Sequence, residues 1–346
     1  MGCLLRKIVA GIENFSDVTE QIDVFQMFDL LELKKDINSS DTDIRNAAAN
    51  RLRFAVKDIG FLYIKNHGIL ESEFQKFSTV TQEFFSQPTD ELEKMITSPD
   101  LGVLRGITLL EGESTARIVG KGDYSDLCMK YTMGNDHNIF PNENFREQWV
   151  SYYKKIVGVA RDLLNLIGQV LDLDTMDNWK DMMLGDPLLR HLNYPDVPEE
   201  RCADVSDLPR MAAHHDLDLI TLLYQTPSPN GFISLQAQIN DKFHDVPAIP
   251  GTLVVNFGEI LSILTNGAVK ATTHQVLAPN KNMMKESRRT STVCFFQPKP
   301  NFVVKPLRDS DFSQYNADDT GAPFKDWIAR MIEQFSISEK KAQKID

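Results

Sequence analysis

The first half of the chain shows a helical spacing of apolar residues. From about residue 40 to 185, apolar side chains recur every three or four positions, which is typical of amphipathic helices. One helix is predicted after the capping residues Ser40 and Asp41, a second over 74–84 before Pro88, and the longest over about 143–171. Between the first two helices, the apolar run 60–64 predicts a short buried strand.

After Pro187 the apolar pattern changes to short runs that favour β-strands. These runs, rich in β-branched and aromatic residues, cover 219–224, 232–239, 252–257, 276–278 and 292–296. Turn-forming residues separate them, among them Asn230-Gly231 and Asn266-Gly267. Many short strands joined by tight turns predict a double-sheet jelly roll, and with the preceding helices the fold class is α+β.

The pattern shows no internal repeat and no clear domain boundary. We therefore expect a single domain over 1–346, with a mainly helical N-terminal part over 1–185 and the jelly-roll core over 186–305. The remaining residues, 306–346, are expected to form a C-terminal helix, over about 324–335, and a tail.

Composition narrows the class of partner. The chain of 346 residues is 42% hydrophobic and 25% charged, as in ordinary soluble proteins, and its formal charge of −12 disfavours nucleic-acid binding. A small-molecule substrate is the better expectation. The four cysteines are scattered, without the spacing of a zinc knuckle or a disulfide framework, so we expect them to be reduced.

Targeting signals are weak. Met1-Gly2-Cys3 begins like an acylation signal, but Arg6 stands where myristoylation requires Ser or Thr. No apolar run approaches the roughly 18 residues of a membrane span. The expected location is cytoplasmic with no membrane partner, and the oligomeric state is not determined by the sequence.

A metal-binding pattern lies in the strand-rich half. His214 and Asp216 form an HxD pair, and His274 follows far downstream. Two imidazoles and one carboxylate are the set that holds Fe(II) on one face and leaves other coordination positions open. His215 is expected to point away from such a site, since adjacent strand residues face opposite sides. Taken alone, HxD is a common chance pattern, and His274 could be a core histidine.

An anion-binding pattern follows the distant histidine. Arg289 and Ser291, separated by Thr290, combine a planar cationic fork with a hydroxyl, a pair suited to gripping a carboxylate. Together with the three candidate ligands, they predict a site that binds iron and a dicarboxylic acid. Two rival readings are a jelly-roll binding module without activity and a zinc hydrolase. The intact ligand set disfavours the first reading and the Arg-Ser pair disfavours the second.

Several segments resemble the isopenicillin N synthase-like family of Fe(II)- and 2-oxoglutarate-dependent dioxygenases, over roughly residues 20–335. The segments are GFLYIKNHGIL at 60–70, NYP at 193–195, HHDLDLITLLYQ at 214–225, PGTLVVNFGEIL at 250–261, His274 and RTS at 289–291. Within the family, further short segments look most like deacetoxycephalosporin C synthase, the cephalosporin expandase. They are ESTA at 113–116, YSD at 124–126, DPLLR at 186–190, QTP at 225–227, NGF at 230–232 and VKA at 269–271.

The resemblance implies roles for matching residues. His214, Asp216 and His274 would be the iron ligands, and Arg289 and Ser291 would bind the distal carboxylate of the co-substrate 2-oxoglutarate. The cofactor would be Fe(II) and the second co-substrate O2. An iron-centred oxidant would then remove a hydrogen atom from a small-molecule substrate.

The resemblance also implies a role for Tyr194, just before Pro195. This tyrosine stands where relatives often place an aromatic or hydroxyl group near the co-substrate. It is therefore expected to contribute to the 2-oxoglutarate site.

One departure from the expandase pattern concerns the substrate. In penicillin-converting relatives, a set of arginines receives the substrate carboxylate. Here Arg190 keeps one of these positions, but Leu192 and Gln297 occupy the positions of two others. A buried carboxylate without those cations would be poorly compensated, so a penicillin substrate is disfavoured.

The expected substrate is a less anionic, mostly apolar secondary metabolite contacted by Arg190, Leu192 and Gln297. The altered anion site resembles that of fungal tropolone-forming ring-expanding dioxygenases, which implies oxidative ring expansion of a polyketide. Hydroxylation or desaturation of another small metabolite, and β-lactam ring expansion, remain alternatives.

Overall fold

The computed structural model describes residues 24–97, 104–307 and 321–330. Within these ranges the helices whose two ends are both described are, in chain order, α1 (Leu30–Ile37), α2 (Thr42–Phe54), α3 (Glu71–Phe85), α4 (Thr89–Glu93), α5 (Thr115–Ile118), α6 (Glu143–Val170), α7 (Asp177–Met182), α8 (Ala203–Ser206) and α9 (Glu259–Leu264). A π-helical turn spans Ala55–Ile59, and 3-10 turns span Glu199–Arg201 and Lys281–Met283.

The described strands form two large sheets and one small pair. They are β1 (Met27–Asp29), β2 (Phe61–Lys65), β3 (Gly106–Thr108), β4 (Met129–Met133), β5 (Leu188–Tyr194), β6 (Met211–His214), β7 (Ile220–Gln225), β8 (Leu235–Ile239), β9 (Lys242–Asp245), β10 (Thr252–Phe257), β11 (His274–Val276), β12 (Arg289–Phe296), β13 (Val303–Val304) and β14 (Ala322–Pro323). The major sheet has the order β1-β2-β10-β7-β12-β5-β4-β3, and the minor sheet has the order β6-β11-β8-β9. Almost every pairing is antiparallel, so the predicted α+β jelly roll is confirmed.

Alternate residues of the major sheet face two different cores. Leu192, Leu223 and Val293 pack against Met211 and Leu235 of the minor sheet. Their strand neighbours, such as Leu189, Leu222 and Cys294, pack with the helices. The two-residue periodicity of the strands therefore separates an inner core between the sheets from an outer core beneath the helices.

Helix α6 is the main element of the outer core. Its buried stripe includes Trp149, Ile156, Leu163 and Ile167, and its N-terminus is capped by the Asn142 side chain, which accepts a hydrogen bond from the Phe145 amide. The predicted span of 143–171 ends one residue too late. The agreement is close because the apolar periodicity stays consistent over all 28 residues of the helix.

The described residues of the N-terminal part are mainly helical, as expected, but they also form strands that the apolar pattern did not predict. The N-terminal part supplies β1, β2, β3 and β4, which extend the major sheet at both ends, whereas one strand was predicted. The missed strands are three to five residues long, and β4 carries the buried polar residues Lys130 and Thr132. Strands of three residues are too short to show an apolar alternation, whereas β4 does alternate, with Met129, Tyr131 and Met133 separated by polar residues, so this strand could have been predicted.

Some predicted boundaries in the jelly roll are also wrong. Strand β8 begins at Leu235 instead of 232, because Asn230 Oδ1 accepts the Phe232 amide in a turn. Strand β12 begins at Arg289, three residues earlier than predicted. The prediction missed its first residues because they are polar and resemble a loop. Residues 324–330 are helical as predicted, and the rest of the predicted span, 331–335, lies outside the described residues.

Three features bear on the other expectations. Cys128, Cys202 and Cys294 are buried and form no disulfide, while Cys3 lies outside the described residues. None of the described helices has both the length and the apolar character that crossing a bilayer requires. One continuous outer core contains residues from Phe28 to Trp327, so the helical part and the jelly roll share it.

Candidate active site

Three side chains converge between the two sheets. His214 ends β6, His274 begins β11, and the two residues are direct partners in the minor sheet. Asp216 follows two residues after His214, and its Oδ1 lies 3.7 Å from Nε2 of each histidine. The possible ligand atoms lie within 4.8 Å of one another. The structure thus brings together the three residues that the sequence singled out.

Backbone carbonyls orient both imidazoles. His214 Nδ1 lies 2.7 Å from the carbonyl oxygen of Ala212, and His274 Nδ1 lies 3.2 Å from that of Thr272. A carbonyl only accepts, so each Nδ1 carries the proton and each Nε2 keeps its lone pair toward Asp216. This tautomer is the one that binds a metal through Nε2.

The carboxylate of Asp216 is fixed in a similar way. Its Oδ2 accepts hydrogen bonds from Thr221 Oγ1 at 2.5 Å and Asn256 Nδ2 at 2.7 Å, while Oδ1 remains on the histidine side. Thr221 also lies 2.9 Å from Asp218, a residue whose pKa is raised well above its ordinary value by burial and by the charge of Asp216. One oxygen of Asp216 is therefore held by the protein and the other is directed to the cluster.

The electrostatics of the three groups suit a cation. Burial, followed by the neighbouring His274, lowers the pKa of His214 to about 4, so this ring is neutral at neutral pH. Burial opposes ionisation of Asp216, but the neighbouring histidines and the hydrogen bonds from Thr221 and Asn256 together lower the pKa of that carboxyl. Two imidazole nitrogens and one carboxylate oxygen match the donor set of Fe(II) sites with open coordination positions.

A buried guanidinium lies deeper in the same cavity. Arg289 is 6% exposed, and its Nη2 donates to Gln225 Oε1 at 2.8 Å and to Ser291 Oγ at 2.7 Å. Its Cζ lies 5.1 Å from the centre of the Tyr194 ring, and Tyr194 is its partner across β5 and β12. Among the described residues Arg289 makes no ion pair, and the two side chains that accept its hydrogen bonds, Gln225 and Ser291, are neutral.

The cavity that joins these groups is enclosed mainly by apolar side chains. It has a volume of about 70 Å³, and the three candidate ligands, Arg289 and Ser291 line it. Its apolar lining consists of Phe61, Leu192, Met211, Leu223, Leu235, Val276, Val293 and Phe295. A larger cavity of about 250 Å³, near Arg53 and Lys57, contains none of the candidate site residues.

The three candidate substrate residues differ in position. Leu192 is buried and lines the cavity. Arg190 lies two residues away on the same face of β5, and its Nη2 donates to Glu113 Oε1. Gln297 is half-buried just beyond the end of β12. Neither Arg190 nor Gln297 lines the cavity itself.

His215 behaves as the strand spacing predicts, and a further histidine, His67, also has other partners. His215 points away from the cluster, where its Nε2 lies 2.7 Å from Glu259 Oε2. His67 packs edge-on against Phe74, and its Nδ1 accepts the Ile69 amide at a turn. Both are therefore outside the ligand set.

Sequence reasoning gave no role to several residues that build the site. Gln225 supports Arg289, Thr221 and Asn256 hold Asp216, and Glu113 pairs with Arg190. Gln225 is opposite Ser291 in the sheet, and Asn256 is opposite Thr221. Strand register brings Gln225, Thr221 and Asn256 to the site, and a single sequence does not reveal register.

Comparison with known protein families identifies the chain. Residues 187–298 match the family described as the 2OG-Fe(II) oxygenase superfamily, and residues 27–152 match the family described as non-haem dioxygenase in morphine synthesis N-terminal. Deacetoxycephalosporin C synthase of Amycolatopsis lactamdurans is 34% identical over 87% of this chain and 93% of its own length. Deacetoxycephalosporin C hydroxylase of Streptomyces clavuligerus is 31% identical over 82% of this chain and 90% of its own length.

Solved structures agree on the fold. A full-length Neurospora crassa protein in complex with alpha-KG and thymine has a TM-score of 0.72 at 20% identity, covering 90% of this chain and 96% of that one. JOX2 in complex with 2OG, Fe and JA has a TM-score of 0.69 at 20% identity, covering 89% and 85%. The family match, together with the convergent ligand set, makes this protein an oxidoreductase that uses Fe(II), 2-oxoglutarate and O2 and acts on a small molecule. The chain belongs to the 2OG-Fe(II) oxygenase superfamily.

Proposed function

We propose that His214, Asp216 and His274 hold the Fe(II). The observation that carries this assignment is the convergence of two oriented Nε2 atoms and one carboxylate oxygen within 4.8 Å. When bound, the iron supplies the activation of O2 and the oxidative decarboxylation of 2-oxoglutarate. The chain supplies the fixed donor set and a cavity lined mainly by apolar side chains.

Arg289 and Ser291 bind the distal carboxylate of 2-oxoglutarate in this proposal. The buried guanidinium has neutral partners only, and a carboxylate would give it a charge-assisted pair. Gln225 keeps the guanidinium of Arg289 in place, because its Oε1 accepts a hydrogen bond from Arg289 Nη2. Tyr194, stacked beside the guanidinium, forms a wall that orients the co-substrate.

The primary substrate is an apolar secondary metabolite that bears little negative charge. Leu192, Val293 and Phe295 line the cavity, and Arg190 next to them is already paired with Glu113. Arg190 of β5 and Gln297, just beyond the end of β12, lie beside the substrate. The whole reaction takes place in a single oxygenase domain, a proposal that the shared outer core supports.

The reaction that we propose is hydrogen abstraction followed by oxidative ring expansion of a polyketide, as in tropolone formation. Hydroxylation or desaturation of another small metabolite is an alternative outcome of the same abstraction. A second candidate, β-lactam ring expansion, is favoured by the 34% identity to deacetoxycephalosporin C synthase. Leu192 and Gln297 disfavour it, since they leave a penicillin carboxylate without two cations.

A substrate screen tests this proposal. Iron-loaded enzyme would be supplied with phenolic and dearomatised polyketides or with penicillin N, and succinate release coupled to consumption of each compound would be measured. We expect coupling with a neutral polyketide, loss of two hydrogen atoms by mass spectrometry and a seven-membered ring by NMR. Gain of one oxygen atom would indicate hydroxylation instead, and equally fast turnover of penicillin N would overturn the substrate assignment.

A further inference from the structure

A second arginine is completely buried in the part of the molecule that holds Arg289. Arg210 immediately precedes β6 and is 0% exposed. Nη2 of Arg210 donates to the carbonyl oxygen of Ser287 at 3.0 Å and to Ser287 Oγ at 2.7 Å. Its Nε and Nη1 are also buried, and neither has a hydrogen-bond partner among the described residues. A buried arginine is normally paired with a carboxylate, whereas the hydrogen bonds of Arg210 go to neutral acceptors.

The contact with Ser287 places Arg210 beside Arg289. Ser287 lies two residues before Arg289 in the chain, where the backbone enters β12. Arg210 is followed directly by Met211, which lines the cavity together with Tyr194 and Arg289. Arg210 itself does not line the cavity. Its guanidinium therefore lies behind the cavity wall, next to the group that we propose as the receptor for the distal carboxylate.

The two guanidinium groups are close enough to act on each other electrostatically. Burial, and after it the charge of Arg289, lowers the pKa of Arg210 to about 10, so Arg210 stays protonated at neutral pH. The carboxylate of Asp196 acts in the opposite direction, but its side chain is 45% exposed and already accepts a hydrogen bond from the Arg288 amide at 2.9 Å. Two buried positive charges therefore share a region in which no described carboxylate bonds to either of them.

Two neighbouring cations favour an anion that enters from the cavity. Like charges repel each other, and an anion next to one of the two guanidinium groups is attracted by both. Because Arg210 and Arg289 are buried, salt screens this attraction much less than it screens charges at the surface. The co-substrate 2-oxoglutarate supplies such an anion, since its distal carboxylate adds a second negative charge to that of the keto-acid end.

We propose that Arg210 determines the selectivity for the co-substrate by its charge, which acts through the wall of the cavity on the distal carboxylate bound by Arg289. The site thereby favours 2-oxo acids that carry two negative charges over those that carry one. Arg210 exerts this effect without contacting the co-substrate, because its guanidinium is closed off from the cavity. This inference rests on the proposed function, since it concerns the same carboxylate-binding position.

The test replaces the cation by a long apolar side chain, Arg210→Met. The two probes, 2-oxoglutarate and 2-oxopentanoate, share a five-carbon chain, which ends in a carboxylate in the first and in a methyl group in the second. Each is titrated without oxygen against iron-loaded protein, and the visible absorption of the complex gives the Kd. In R210M the ratio of 2-oxoglutarate to 2-oxopentanoate affinity should fall about tenfold, while the affinity for 2-oxopentanoate stays within about twofold of that of the unmodified enzyme.

Two control variants separate charge from structure. Arg210→Lys keeps the positive charge but loses the planar guanidinium that holds Ser287, and Ser287→Ala keeps both arginines but removes one acceptor of Arg210. Both should retain the ratio of the unmodified enzyme. If Arg210 served only to hold the backbone before Arg289, both controls would lower the ratio as R210M does. That result, or an unchanged ratio in R210M, overturns the proposal.

Arg210→Lys decides the question if R210M does not fold, since a retained ratio supports the proposal and a lowered ratio contradicts it. A further variant, Arg289→Met, separates the two levels of inference. Absence of the visible absorption in folded, iron-loaded unmodified protein, or an unchanged ratio in R289M, contradicts the proposed function. Normal absorption and a lowered ratio in R289M, together with an unchanged ratio in R210M, contradict the role of Arg210 alone.

Discussion

Single hydrogen bonds determine which atoms of the candidate site face the metal position. The carbonyls of Ala212 and Thr272 select the histidine tautomers, and Thr221 and Asn256 occupy one oxygen of Asp216. Partners of this kind commonly affect metal affinity about 10–100-fold without contacting the metal. The site therefore depends on residues that no ligand motif contains.

Arg289 offers a prediction at this scale. Arg289→Lys keeps the charge but loses the planar fork, which is expected to cost about 1.5–3 kcal/mol of 2-oxoglutarate binding. The KM for 2-oxoglutarate should rise about 10–100-fold, with a smaller change in kcat, as measured by succinate release. Arg288→Lys is the matched control, because Arg288 is exposed and lies 3.8 Å from Asp196. An equal rise in both variants would remove the assigned role.

The sequence predicted the candidate ligands and the Arg-Ser pair because each consists of a rare residue type at a recognisable spacing. It did not predict the roles of Gln225 and Glu113. The first reaches Arg289 through the register of β7 and β12, and the second reaches Arg190 from a loop remote in sequence. Contacts that depend on how strands align are not encoded in local spacing.

At the scale of elements, the strands position the site and the helices support the strands. Strand β12 pairs with β5 on one side and β7 on the other, so that Arg289 and Ser291 reach both Tyr194 and Gln225. Helix α6 was predicted to within one residue because its stripe extends over 28 residues. Strand β4 was missed, although Met129, Tyr131 and Met133 alternate with polar residues as in a strand, and the buried position of Lys130 depends on the carboxylates beside it.

Two glycines of α6 give a paired stability prediction. A Cβ at Gly168 would lie 2.5 Å from Trp179 Nε1, whereas a Cβ at Gly158 would have no atom within 4 Å. Gly168→Ala should destabilise the protein by about 1–3 kcal/mol through overpacking against α7. Gly158→Ala should stabilise it by about 0.5–1 kcal/mol, because alanine favours the helix. Urea unfolding measures both, and two shifts of the same sign would contradict the described packing of α6 on α7.

At the scale of the whole molecule, the two sheets form the cavity that contains the candidate metal ligands and Arg289. The formal charge of −12 is far from what a nucleic-acid-binding protein carries, while the cavity holds Arg289, which has no ion-pair partner among the described residues. The chain as a whole is thus negatively charged, whereas the buried guanidinium of Arg289 is suited to binding an anion. The family match establishes the co-substrates, and we propose that the buried guanidinium of Arg289 binds one of them.

The measurement that tests the central claim most directly is anaerobic addition of Fe(II) and 2-oxoglutarate to the purified protein. We predict a weak visible metal-to-ligand charge-transfer band, because the keto acid chelates an iron held by His214, Asp216 and His274. The band should persist in His215→Gln, whose histidine pairs with Glu259, and should vanish in His214→Gln. A folded, iron-loaded protein that shows no band, or a His214→Gln variant that retains it, would contradict the account.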